Sequence, residues 1–342
     1  MKLISFVVPC YNSAEYMSKC IDSLLTQKDD IEILIVNDGS FKDNTKDIAD
    51  EYAKKYPETI KAIHKENGGH GDAVMCGLEH ATGTYFKVVD SDDWVDEKSL
   101  QKLIENIKSF DFEELPDAYV VNYVYEYSYD GTTKKVNYKN EFPVNKKFTF
   151  SKTKRMPLGK FLAMHSLIYK TQVVKDANLG LPKHTFYVDN LLVYKPLPLV
   201  KTFYYLDIDF YRYFIGRSDQ SVNETVIMNR IDQHIKVTYL LIDSHDLNKI
   251  KSESKENARL YQYMTSFISI MMTINSIYLI KIGTLESLEK KQEIWKYLKE
   301  KDLVLYKKCK NTFTGMASSD NKFVCNVCKG LYTVARKIFK FN

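Results

Sequence analysis

The chain has 342 residues, 44% of them hydrophobic and 27% charged, with 25 Tyr and 18 Phe. This composition excludes extended disorder and a disulfide-stapled miniprotein, and the length suits one large domain plus a smaller one. Its 49 basic and 44 acidic residues leave a net charge of +5, too small to argue for nucleic acid as a partner.

Residues 3–8 form a short apolar run ending at Pro9, and residues 31–36 form another ending at Asn37-Asp38-Gly39-Ser40. Both read as strands buried on two faces. Between them Ser13 is expected to cap a helix that places Met17, Cys20, Ile21, Leu24 and Leu25 on one stripe. The pattern repeats with a helix over 45–56, a strand over 60–64, a helix over 71–81 and a strand over 84–89 ending at Asp90. Such alternation predicts an α/β fold with a mainly parallel sheet covered by helices.

After residue 110 the pattern changes. Tyr119–Tyr129 and Thr133–Tyr138 flank an Asp130-Gly131 turn and read as a hairpin, which makes the sheet mixed. Residues 225–310 lack proline and carry long helical runs, so a mostly helical C-terminal domain is expected over 221–342, following a catalytic domain over 1–220. Within it, the apolar run Phe267–Ile280 is interrupted by polar residues and ends at Lys281, short of the ~20 residues that span a bilayer, and reads as a core or subunit-contact helix.

In a doubly wound sheet, ligands bind beyond the carboxyl ends of the strands. Here those ends deliver Pro9-Cys10-Tyr11-Asn12, then Asp38, then Asp90-Ser91-Asp92-Asp93. Tyr11 can stack on a base, and Asp38 can accept hydrogen bonds from a base or ribose. The Asp90/Asp92 pair offers hard oxygen ligands to a divalent cation bridging phosphates. Each short motif alone is more often a turn or a helix cap. Their arrival at the ends of successive strands is what makes the set specific.

Taken in order, Val8-Pro9-Cys10-Tyr11-Asn12, Val36-Asn37-Asp38-Gly39-Ser40 with Asp43, Glu66-Asn67-Gly68-Gly69, Ala81-Thr82-Gly83-Thr84-Tyr85 and Val89-Asp90-Ser91-Asp92-Asp93-Trp94 resemble the motifs of family 2 glycosyltransferases with the GT-A (Rossmann-like) fold. The resemblance covers residues 1–215. It implies inverting transfer of a sugar from a nucleotide-sugar donor, most often a UDP-sugar, with Mg²⁺ or Mn²⁺ bound through the Asp-x-Asp element. Nucleotide-sugar binding would fall in 1–95 and the acceptor side in 96–220. Pro9 and Tyr11 would frame the base, Asp38 would hydrogen-bond it, and Asp90 would approach the ribose and join Asp92 at the metal. Asn67, Gly71, Ala73 and Ser91 complete the expected donor contacts. Where many members have Ala-Arg-Asn-x-Gly, this chain has Ala73-Val74-Met75-Cys76-Gly77, which leaves the donor's identity open.

An inverting transfer needs a base, and the resemblance places it at Asp189 in Phe186-Tyr187-Val188-Asp189-Asn190, with Val188 where a Glu is usual. Capping of a following helix is the competing role for Asp189. Arg217 is the expected clamp on the diphosphate, and His165 is a weaker candidate for the acceptor side. The expected acceptor is a glycan, a lipid-linked sugar or a protein-bound glycan, as in polysaccharide biosynthesis or protein glycosylation. Two other readings stay open, a nucleotidyltransferase with a related crevice and a catalytically inactive nucleotide-binding module.

The tail 322–342 is basic, with no acidic side chain. Val324, Val327, Leu331, Val334, Ile338 and Phe341 form one apolar helical stripe. Packing on protein, including a homo-oligomer, is favoured over peripheral contact with an anionic membrane. Cys325-x-x-Cys328 lacks the further ligands that zinc needs. Scattered cysteines and a strand-like start suggest the cytoplasm, or the inner face of the membrane.

Overall fold

The structure, a computed structural model, describes residues 2–157, 159–216, 220 and 223–339, without the side chains of 313–314 and 335–339. The chain divides into two compact units, one of 1–154 with 162–216 and the other of 155–161 with 217–342.

The first unit is built on β1 (Ile4–Cys10), α1 (Met17–Leu25), β2 (Ile31–Asp38), α2 (Thr45–Lys55), β3 (Ile60–Lys65), α3 (His70–His80) and β4 (Tyr85–Val88). It continues through β5 (Trp94–Val95), α4 (Glu97–Lys108), β6 (Ala118–Tyr127), β7 (Thr133–Val136), β8 (Lys147–Phe148), β9 (Leu167–Lys170), α5 (Thr171–Asp176), α6 (Asp189–Tyr194) and β10 (Phe203–Ile215). Among the described residues the strands form one sheet in the order β3-β2-β1-β4-β9-β6-β10-β5, with β7 beside β6 and β8 beside β10. The β3-β2-β1-β4 half is parallel, and β9 runs antiparallel to both β4 and β6. This is a GT-A-like fold, mixed and mainly parallel, and β6 and β7 pair antiparallel around the Asp130-Gly131 turn as the sequence predicts.

Every residue of β1 is buried, because β2 and β4 flank it and helices cover both faces. Pro9 is tolerated in this central strand because β4 stops pairing at Val7, so one flank of β1 is open where the N–H is missing. The core gathers Phe6, Val8, Ile21, Leu24, Ile33, Ile35, Leu103, Ile107, Tyr119 and Phe210.

Ser13 does not cap α1, whose N-cap position is Tyr16. Its hydroxyl instead accepts from Tyr11 N at 3.0 Å and pairs with Ser91 Oγ at 2.8 Å, drawn away from the helix by the neighbouring strand ends.

The second unit is helical: α7 (Glu224–Asn229), α8 (Ile231–Ser244), α9 (Leu247–Glu253), α10 (Ala258–Ile282), α11 (Leu285–Lys301), α12 (Leu303–Lys310) and α13 (Lys322–Phe339). The helix α10 extends well beyond the apolar run and is long and apolar enough to span a bilayer, yet 72% of its most apolar window is buried within the chain. Buried polar groups on it are satisfied inside this unit: Asn275 bonds His234 and Thr238, and Ser276 accepts from the Trp295 indole. On α13, Cys328 is buried and Tyr332 meets Tyr278 of α10, while Phe323, Leu331 and Val334 stay exposed. Ile338 and Phe341 of the expected stripe lie outside the described side chains.

Candidate active site

The carboxyl ends of β1, β2 and β4 carry three loops that are laced together. Asn12 N donates to Ser40 Oγ at 2.9 Å, and Asn12 Oδ1 accepts from the backbone N–H groups of Phe41 and Lys42. The Ser13–Ser91 contact joins the first loop to the Asp90-Ser91-Asp92-Asp93 turn. Tyr11 projects from this frame, 46% exposed, beside the exposed ring of Phe41.

Asp38 is held by four donors from the 65–69 stretch. Oδ1 accepts from Lys65 Nζ at 2.8 Å and Gly68 N at 2.9 Å, and Oδ2 accepts from Gly69 N at 2.7 Å and Asn67 Nδ2 at 3.0 Å. These four bonds fill the acceptor positions of a carboxylate. Asp38 with Asn67 thereby fixes the 67–69 loop. Gly69 takes φ +83°, which a side chain would resist, and so aims its N–H at Asp38.

That loop also receives the segment ahead of α6. His184 N donates to Gly68 O at 2.7 Å, and a Cβ on Gly71 would sit 3.1–3.3 Å from Leu181, Val188 and Pro182. Gly71 is therefore a close-packing position against the chain that leads to Asp189. Ala73 is likewise fully buried, one turn inside α3.

The same packing brings Asp189 to the carboxylate turn. His70, the first residue of α3, places Nε2 2.8 Å from Asp90 Oδ1. Burial pulls its pKa down, but the carboxylates of Asp90, Asp189 and Asp92 outweigh this and the net shift is upward. Asp90 is held below the usual carboxylate range, since the charge and hydrogen bond of His70 exceed the opposing effect of burial. Asp189 is shifted upward, first by loss of water and further by Asp90, against the lowering influence of His70. Asp189 opens α6, whose N-cap position is Val188.

Asp93 is buried: Tyr211 Oη donates to its Oδ2 at 2.6 Å and Phe214 N to its Oδ1 at 2.8 Å. Burial and the adjacent Asp92 and Asp90 push its carboxyl well above the usual range. It anchors the turn to β10. No group of three or more His, Cys, Asp or Glu side chains suited to a metal occurs among the described residues. A magnesium-type cation needs no such cage when one or two carboxylates share it with substrate phosphates and water. Asp92 with Asp90 fits that mode.

Lys87 and His70 were not singled out by sequence reasoning. Lys87 is buried in β4, where Nζ donates to the carbonyls of Met164 at 2.6 Å, His165 at 2.8 Å and Leu167 at 3.2 Å. Burial lowers its pKa to about 7 despite Asp90 and Asp93. It fastens the turn carrying His165 to the donor strand. The available signal was a lysine inside the apolar run Tyr85-Phe86-Lys87-Val88-Val89. Arg217 lies outside the described residues.

A family model described as glycosyl transferase family 2 matches residues 5–176, about half of the chain. The chain belongs to glycosyl transferase family 2. It is similar to an uncharacterized glycosyltransferase, EpsJ, of Bacillus subtilis, 45% identical over 104 residues that cover 30% of each protein. It is also similar to the glycosyltransferase GlyG of Streptococcus pneumoniae, 37% identical over 131 residues, covering 38% of this chain and 40% of that protein. These matches span less than half of the relatives' lengths. Among solved structures, residues 1–349 of S. aureus TarS in complex with UDP-GlcNAc align with a TM-score of 0.70 and 18% identity, covering 98% of this chain and 92% of that one. That likeness is one of fold.

Proposed function

We propose that this protein is an inverting glycosyltransferase that moves a sugar from a UDP-sugar to a hydroxyl of a glycan, lipid-linked or protein-linked acceptor. The observation that carries this reading is the 2.8 Å contact of His70 with Asp90, on the Asp-x-Asp turn beyond the carboxyl end of β4, with Asp189 close enough to act on the same imidazole. TarS, with the same fold, binds UDP-GlcNAc, which supports a nucleotide-sugar donor.

In this mechanism Tyr11 and Pro9 flank the base, and Asp92 with Asp90 would hold a Mg²⁺ or Mn²⁺ ion. Such an ion neutralises charge on the departing diphosphate. The acceptor oxygen attacks the anomeric carbon from the face opposite the diphosphate. As that bond forms, the bond from the anomeric carbon to the phosphate oxygen breaks, configuration inverts, and Asp189 takes the hydroxyl proton. Its upward-shifted pKa makes it a better proton acceptor than an ordinary surface carboxylate.

The test is UDP release from a panel of UDP-sugars with Mn²⁺ and mixed glycan and lipid-linked acceptors, wild type beside Asp189→Asn. Loss of a general base is expected to lower transfer by roughly 10²–10⁴-fold, with UDP affinity retained. Nucleotide binding without any turnover by the wild type would overturn the proposal in favour of an inactive binding module.

A further inference from the structure

The basic surplus of this chain sits in one element. Lys322, Lys329, Arg336, Lys337 and Lys340 lie in 322–342 without an acidic neighbour there, so the rest of the chain is balanced, 44 basic residues against 44 acidic. At about 3.6 residues per turn, Lys322, Lys329, Arg336 and Lys340 fall on one side of a helix. Phe323, Val327, Leu331, Val334 and Ile338 fall on the adjacent side.

A third side of α13 docks on the helical unit. Cys328 is buried, the Tyr332 hydroxyl meets that of Tyr278 on α10 at 3.0 Å, and Cys325 Sγ donates to Ser319 O at 3.3 Å. The start of the helix is fixed as well, since Asn321 Oδ1 accepts from Phe323 N at 2.9 Å and Asn321 O accepts from Cys325 N at 2.9 Å. The apolar side is left uncovered. Phe323 is 76% exposed, Leu331 41% and Val334 54%, and a Cβ added at Gly330 would meet nothing within 4 Å. Lys322, on the basic side, is exposed too.

A lone exposed apolar side chain needs no explanation, but a row of them along one helix does. Packing within the helical unit uses the Cys328 and Tyr332 side and does not account for this row. A second copy of α13 would set the same basic side chains against its own, with no carboxylate in 322–342 to pair them. Nucleic acid would meet the lysines and leave the apolar row in water. The headgroup boundary of a bilayer offers both environments side by side, anionic groups for the basic side and acyl chains for the apolar one. Lys329, in the middle of the helix, opposes a transverse placement, so the helix lies flat.

We propose that α13 is a membrane-surface anchor, lying flat on anionic lipid headgroups with Phe323, Val327, Leu331 and Val334 inserted and Lys322 and Lys329 beside the headgroup phosphates. The lysine stems lie along the apolar boundary and keep their ammonium groups in water. This inference rests on the helical unit alone and is independent of the transfer reaction.

The experiment is co-sedimentation of the full chain with vesicles of phosphatidylglycerol and phosphatidylcholine in equal parts, and with vesicles of phosphatidylcholine alone, beside sedimentation velocity of the protein without lipid. Wild type is expected to bind the anionic vesicles, more weakly as salt rises, and to leave the neutral ones bare. Each basic residue near an anionic surface strengthens binding about fivefold, so Lys322→Gln with Lys329→Gln should weaken it roughly 30-fold. Phe323→Ser with Leu331→Ser, both at exposed positions, should weaken it roughly tenfold or more with the circular dichroism unchanged. A wild type that stays in the supernatant, or binds both kinds of vesicle equally, overturns the anchor. So does a lipid-free dimer that Phe323→Ser with Leu331→Ser abolishes, which would assign this side of α13 to a second copy.

Discussion

The imidazole of His70 meets the carboxylate of Asp90 at 2.8 Å, joining the first turn of α3 to the loop that ends β4. The contact crosses the crevice between the 67–71 loop and the Asp-x-Asp turn, and Asp189 acts on the same ring. His70 thus sets a cationic partner against Asp90. Replacing it with Ala removes a charge-assisted hydrogen bond, which is ordinarily worth about 1.5–3 kcal/mol. His70→Ala is therefore expected to lower kcat/KM by roughly 10- to 100-fold, with the far-ultraviolet circular dichroism unchanged. Unaltered kinetics in a folded variant would remove His70 from the site.

Tyr11 is exposed, next to Phe41, on the loop that Asn12 and Ser13 lace to its neighbours. Base stacking on an aromatic side chain contributes about 1–3 kcal/mol. Tyr11→Ala should weaken UDP binding by calorimetry accordingly, while Tyr11→Phe, which keeps the ring, should bind like the wild type. Equal affinity in Tyr11→Ala would place the base elsewhere.

Stability is expected to fall in mild acid. Burial lowers the pKa of His165 from 6.5 to about 4. Between these values the unfolded chain binds the proton more readily than the folded chain, so stability is complete above pH 6.5 and is lost as pH falls towards 4. The loss from this group is about 3 kcal/mol. His234 in the helical unit is shifted the same way, also to about 4. In urea titrations at pH 7 and pH 4.5, His165→Phe should show a smaller difference than the wild type. An unchanged difference would mean that His165 titrates normally.

Gly83 lies where the Ala81-Thr82-Gly83-Thr84-Tyr85 motif crosses β1. A Cβ there would come within 2.7 Å of Ser5 N and 2.8 Å of Ile4 C, backbone atoms of a central strand that cannot move aside. The Gly83 N–H also donates to Ser5 Oγ and Glu32 Oε1. Gly83→Ala should cost about 1–3 kcal/mol, as overpacking does. A melting temperature equal to that of the wild type would show that the strand yields.

Strand and helix order, the hairpin and the helical second unit were legible because burial on one or two faces imposes periods of 2 and 3.6 on the residues themselves. The same holds for the motifs at the ends of β1, β2 and β4, which a parallel sheet delivers to one edge. Ser13 was misjudged as a cap because its strongest partner, Ser91, is 78 residues away.

What the sequence by itself determined is the set of elements and the strand ends that could carry chemistry, since both follow from local pattern. Only the tertiary structure decided which side chains face one another. It bound Asp38 to the 65–69 loop, packed Gly71 against 181–188, and brought Asp189 near enough to His70 to act on it. It also set Tyr213 beside Tyr125 through the pairing of β6 with β10. Such meetings depend on register and on loops docking over long stretches of chain, and no local period encodes them.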